Sequence, residues 1–103
     1  MSELVAPAGF SPLLEAEYEL QLFIAGASLR SDAALRNVQA ICAQHLSGRH
    51  SLTVIDLQKH PERAHADNIL GVPCLVKKRP GLIRRLVGDF SQLDRVLKAL
   101  GLA

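Results

Sequence analysis

The sequence has no tryptophan, one methionine, one tyrosine and three phenylalanines, so aromatic residues supply only 4% of its 103 positions. Single-stranded nucleic acids are held by bases stacking on aromatic side chains inside a basic groove. No aromatic residue interleaves with the basic ones here, so nucleic acid is not expected as a partner. The charge balance agrees, with 12 Lys and Arg against 10 Asp and Glu for a formal net charge of +2. No apolar run approaches the roughly 20 residues that cross a bilayer, and Met1-Ser2-Glu3-Leu4 lacks the basic start of a secretory leader. Neither membrane nor export is expected. Two cysteines, Cys42 and Cys74, do not make a disulfide framework, which points to a cytoplasmic, reducing setting. Gly-x-Ser-x-Gly, a phosphate-binding loop, Gly-x-Gly-x-x-Gly and Cys-x-x-Cys are all missing. His45, His50, His60 and His65 never stand at i, i+4, so no metal site or cofactor is expected.

What is present is 49% apolar residues, which suits one compact domain. Residues 1–17 read as an N-terminal extension broken by Pro7, Gly9 and Pro12, and residues 18–103 as the domain. Tyr18, Leu20, Leu22 and Ile24 alternate and then give way to a fully apolar end, as in a strand entering a buried sheet. Ser31 is the expected cap of a helix, with Asp32 opposing the dipole. Leu35, Val38, Ile41, Cys42 and Leu46 repeat at helical spacing up to a stop at Gly48. Leu52–Leu57 is β-branched and apolar, a second strand. Strand, helix and strand make a right-handed βαβ unit. Pro61 and Glu62 open a short helix running to Asn68. Cys74–Lys78 and Leu82–Val87, joined by Pro80-Gly81, read as an antiparallel hairpin. Ser91 and Asp94 have capping-box spacing ahead of Leu93, Val96, Leu97 and Leu100 on one helical face. This α/β order, βαβαββα, is that of a thioredoxin-like fold. Such folds carry a cis proline where Val72-Pro73 stands. A cis bond and an ordinary trans proline opening a strand both remain open for Pro73.

The chemistry of a redox member of that fold is absent. Its nucleophilic thiol sits at the start of the first helix, where the dipole lowers the thiol pKa. The corresponding residues, 25–31, hold Ser28 and Ser31 but no cysteine. Cys42 falls on the apolar helix stripe, and Cys74 follows Pro73 as a small core residue. Glu15, Glu17 and Glu19 form an acidic cluster at the first strand, read as a solvated edge with no basic partner nearby. Lys77, Lys78, Arg79, Arg84 and Arg85 put five bases on the hairpin with no acid from Asn68 to Gly88. Two readings stand side by side: a solvated edge protected from aggregation, and an electrostatic docking surface for an acidic partner.

Four ordered segments carry a resemblance. They are Tyr18-Glu-Leu-Gln-Leu-Phe-Ile-Ala-Gly26, Leu52-Thr-Val-Ile-Asp56-Leu-Gln-Lys59-His-Pro61, Ile69-Leu-Gly-Val-Pro73-Cys-Leu-Val-Lys77 and Arg84-Arg85-Leu-Val-Gly88-Asp89-Phe-Ser91. Together they resemble the KaiB family of small bacterial clock proteins in one register over residues 18–100. The first loop departs from the family in having Ala27-Ser28-Leu29 in place of an Asn-Thr-Pro-type run, and the hairpin tip is reduced to Arg79-Pro80-Gly81. The resemblance implies a regulatory binding protein rather than an enzyme. Its implied partners are a KaiC-type RecA-like ATPase and a histidine kinase pathway, in a clock-like timer or in stress adaptation. It further implies two folds that share the first half of the chain: the thioredoxin-like one, and a βαββααβ arrangement that forms homo-oligomers, dimers or tetramers. Partner contacts are expected at Lys59, Arg84, Arg85 and Asp89, and at Arg36 on the first helix. Pro73 and Gly88 are the candidates for the cis bond and the change of fold. The competing readings are a thioredoxin-like redox or glutathione-binding enzyme using Cys74 and a homo-oligomeric stress protein without an ATPase partner.

Overall fold

A computed structural model describes residues 16–102; residues 1–15 of the expected extension lie outside the described residues. Strand β1 (Tyr18–Ile24) is followed by helix α1 (Leu29–His45), strand β2 (His50–Asp56), helix α2 (Glu62–Ala66), strands β3 (Cys74–Arg79) and β4 (Arg84–Val87), and helix α3 (Leu93–Ala99). The strands lie in the order β2-β1-β3-β4, with β1 parallel to β2 and antiparallel to β3, and β3 antiparallel to β4. This is the expected βαβαββα order, and of the two arrangements implied by the resemblance the structure holds the thioredoxin-like one. Among the described residues no helix is long and apolar enough to cross a membrane.

Side chains alternate across a strand, so a central strand covered on both sides must be apolar on both. In β1, Tyr18, Leu20 and Leu22 face one side and pack with Ala34, Val38, Ile41, Cys42 and Leu46 of α1 and its end, and with Val96 and Leu100 of the C-terminal segment. Phe23 faces the other side with Ile55, Cys74 and Val76, where Leu57, Ile69 and Val72 close over them. The Arg63 guanidinium lies 5.9 Å from the Phe23 ring centroid, extending that cover with a cation–π contact. The Tyr18 hydroxyl donates to the Leu100 carbonyl at 3.1 Å, joining the first strand to the last helix.

Local boundaries differ from expectation where side chains found other partners. Ser28, not Ser31, caps α1: its Oγ accepts the Ser31 N–H at 3.0 Å from an extended backbone, and Ser31 itself is buried in the first turn. Strand β2 begins two residues early, at His50, because pairing with β1 extends to Tyr18↔His50. Helix α2 stops at Ala66 instead of Asn68. Asn68 takes φ +56°, and the Ile69 N–H reaches back to the Ala64 carbonyl at 2.8 Å, a Schellman-type closure. The turn between β3 and β4 is wider than Pro80-Gly81, and leaves Leu82 and Ile83 exposed before pairing resumes at Lys77↔Arg84. The expected Ser91–Asp94 capping box does not form. Gln92 caps α3 without a side-chain bond, while the Ser91 N–H is taken by Asp89. Leu93, expected on the packing face, is 43% exposed, since α3 buries Val96 and Leu100 one turn apart instead. Val72-Pro73 is cis, as is Arg79-Pro80.

The two-sided core predicts a sharp contrast. Leu22, with no exposed surface, should cost about 2–5 kcal/mol when changed to Ala. Leu29→Ala, at a position 90% exposed, should stay within about 0.5 kcal/mol of the parent. Urea unfolding of the two variants checks this.

Candidate functional site

The end of the sheet where the parallel strands finish gathers four turns. The register places Ile24, Asp56, Cys74 and Val87 there together, so the residues around 26, 57, 73 and 88 and the start of α1 share one rim. Two aspartates organise it by the same device, a carboxylate accepting the N–H two residues on. Asp56 Oδ1 accepts the Gln58 N–H and also the Gly26 N–H, each at 2.9 Å, and so staples the first loop to the turn after β2. Gly26 stands at φ +68° with its α-carbon facing the Gln58 side chain, and an added Cβ would lie 2.4 Å from Gln58 Oε1. Asp89 Oδ1 accepts the Ser91 N–H at 3.0 Å, and its backbone carbonyl accepts from Asn37 Nδ2 at 2.8 Å. Gly88, at φ +146°, donates its N–H to the Pro73 carbonyl at 3.0 Å. The bonds from Gln58 and then Gly26 hold the Asp56 carboxyl below its ordinary pKa. The Ser91 hydroxyl and N–H do the same for Asp89, with a further contribution from the Arg30 charge.

The partner-contact residues expected from sequence divide between two places. Lys59, exposed in the turn after Asp56, and Asp89 lie at this rim with Gly88 and the buried Pro73. Lys59 follows β2 at one edge of the sheet, whereas Asp89 follows β4 at the other. Arg84 and Arg85 are exposed on β4, whose outer side pairs with no strand among the described residues. Their side chains leave opposite faces: Arg85 Nε donates to the Asp67 carbonyl at 3.3 Å on the α2 side. Arg36 is exposed farther along α1. Asn37, which ties α1 to the rim, was missed; a poor helix former inside a helix was the only signal.

The five-base hairpin is less free than its sequence implies. Lys77 is 7% exposed and turns its Nζ back onto the Pro80 carbonyl. Lys78 lies 3.6 Å from Asp67, which also holds Arg63 at 3.0 Å. Arg79 lies 3.4 Å from Glu19. The acids come from a neighbouring helix and strand, beyond the reach of local charge counting. For the same reason the acidic cluster is not unpartnered: Glu17 forms a two-bond fork with Arg49 at 2.9 and 3.0 Å, and Arg49 lies 5.6 Å from the Tyr18 ring. Glu15 lies outside the described residues. Arg84 and Arg85 are what remains of the cationic edge.

The rim holds no thiol poised for exchange. Cys74 is 1% exposed and burial raises its pKa, as it does for Cys42. The two belong to cores on opposite faces of the sheet, so they are placed to pack and not to pair with each other.

Residues 21–102 match the family model described as the KaiB domain. The chain is 41% identical over 85 residues to the circadian clock oscillator protein KaiB of Prochlorococcus marinus, covering 82% of this chain and 71% of the relative. It is 36% identical over 81 residues to the circadian clock protein KaiB3 of Synechocystis sp., covering 79% of each. In structure it is similar to the N-terminal domain of Synechococcus elongatus SasA, with a TM-score of 0.68 and 25% identity over 100% of this chain and 96% of the other. Mitochondrial thioredoxin 3 from Saccharomyces cerevisiae shares the fold, with a TM-score of 0.65 at 13% identity over 82% of this chain and 79% of that one.

The Asp56 staple has a pH signature. Its folded-state pKa is depressed, so the stability it adds is complete above the ordinary aspartate pKa of about 3.9. That contribution disappears as the pH falls through the lower folded value. Asp56→Asn should therefore unfold at lower urea than the parent at neutral pH, and the gap should narrow towards about pH 2. A gap of constant size would remove the charge from the explanation.

Proposed function

The chain belongs to the KaiB family, and on that premise we propose that it is a regulatory binding protein that associates with a KaiC-type RecA-like ATPase in a clock-like timer or stress-adaptation system. The match over residues 21–102 carries the proposal, and the surface supports it. Arg84 and Arg85 stand on a strand whose outer hydrogen-bonding side pairs with no strand among the described residues. An unpaired edge offers main-chain donors and acceptors to another chain, and cationic side chains steer acidic partners towards it. Lys59 and Asp89 extend the surface along the rim, and Arg36 continues it on α1. The protein acts by recognition: its only cysteines are buried, and the helix start that would activate a thiol carries serines. A histidine kinase pathway is the proposed output, and assembly into dimers or tetramers in the βαββααβ arrangement the proposed resting form. Pro73 and Gly88, joined by their backbone bond, lie within the second half of the chain, the part that would rearrange.

Incubation of the full chain with a cognate KaiC-type ATPase, with and without ATP, followed by affinity capture, tests the proposal. A nucleotide-dependent complex is expected; no complex under any nucleotide condition after prolonged incubation overturns it. The Arg84 side chain has no hydrogen bond or ion pair among the described residues, so Arg84→Glu should leave the fold intact. It should weaken association on the order of ten-fold at low salt and by less at high salt. Surface plasmon resonance across a salt series reads both effects.

A further inference from the structure

An open groove of about 330 Å³ lies where the end of β4 and residues 88–92 meet the starts of α1 and α3. Arg30, Arg95, Asp89 and the backbone of Gly88 line it, with the half-buried Leu86 and the exposed Val87 as its apolar part. We infer that this groove binds the carboxylate of an aspartate or glutamate within an otherwise apolar peptide segment of a partner protein.

The inference stands on how the groove's charges are committed. Among the described residues neither the Arg30 nor the Arg95 side chain makes a hydrogen bond or salt bridge, the Arg30 charge acts on Asp89 only through space, and both residues are exposed. They come from two different helices yet line one concavity. Asp89, the acid beside them, is already engaged: its Oδ1 accepts from Ser91, and its carbonyl accepts from Asn37. Its bonds from Ser91 and the nearby Arg30 charge hold its carboxyl below the ordinary aspartate pKa. Two guanidinium charges less one carboxylate leave the groove a net charge of +1. That matches a single carboxylate, which arginine's planar fork receives well. A phosphate dianion would exceed that balance and face the repulsion of Asp89. Leu86 and Val87 keep accessible apolar surface beside the charges, so the residues flanking the carboxylate have somewhere to bury surface and a peptide fits better than a free small anion.

Titration of the ¹⁵N-labelled full chain with N-acetyl-Leu-Glu-Leu-amide, its Gln counterpart and inorganic phosphate tests this at neutral pH and low salt. The Glu peptide should shift the amides of Gly88, Asp89, Ser91 and Gln92 and bind more tightly than the Gln peptide. Arg30→Gln and Arg95→Gln should each weaken the Glu peptide by about two- to five-fold, the range for exposed ion pairs, with the rest of the spectrum unchanged. Asp89→Asn keeps the acceptor for Ser91 while removing the competing charge, and should tighten the Glu peptide. Equal binding of the Glu and Gln peptides, insensitivity to both arginine variants, or shifts confined to other surfaces would overturn the assignment. Phosphate binding more tightly than the Glu peptide would overturn it as well.

Discussion

Strand β1 sits second in the sheet, hydrogen-bonded to β2 on one side and β3 on the other, and is covered on both faces. Everything else is arranged around that double burial. The strand must be apolar on both of its faces where helices cover it, which is why Leu20, Leu22 and Phe23 are all fully buried. Burying each such side chain contributes about 1.5–3 kcal/mol, so this short segment supplies a large share of a small domain's stability. The double cover also dictates that α1 and α3 share one face while α2 and the segment after it close the other.

That scaffold leaves the loops at one end of the sheet to be shaped by polar bonds. Asp56 and Asp89 do so in parallel, each taking the N–H two residues ahead and each tying in a second element. In a redox relative the start of the first helix would hold a nucleophile. Here the same place holds a serine cap and Arg30, beside a groove with charge to spare. In the proposed reading the end that is reactive in redox relatives serves recognition, and the edge of β4, unpaired among the described residues, adds a main-chain binding element to the side-chain one.

Ionic pairing across the sheet explains why the charged surface is smaller than the charged sequence. Glu17 with Arg49, Glu19 with Arg79 and Asp67 with Lys78 join residues from different elements, while Asp67 also takes Arg63 one turn back on its own helix. These pairs are exposed or half-exposed and each contributes little to stability. Their consequence is to withdraw four cations, Arg49, Arg63, Lys78 and Arg79, from any partner surface, leaving Arg84, Arg85, Arg30, Arg95 and Lys59 at its periphery.

The order βαβαββα, the two-sided character of β1 and the α1 stripe through Val38, Ile41 and Cys42 were all legible in the sequence, because hydrophobic periodicity is a local property of the chain. The absence of a thiol at the first helix was equally plain, as was the family through its four ordered segments. Caps and turn widths were not: Ser28 and Ser31 are both good caps, and only the path of the chain through Gly26 chose between them. The pairing of Lys78 with Asp67 and Arg79 with Glu19, and the meeting of Arg30 with Arg95 around Asp89, follow from strand order and helix placement. Such contacts join residues far apart in the chain, so no window of sequence contains them, and tertiary packing alone decided which charges were spent and which were left to bind.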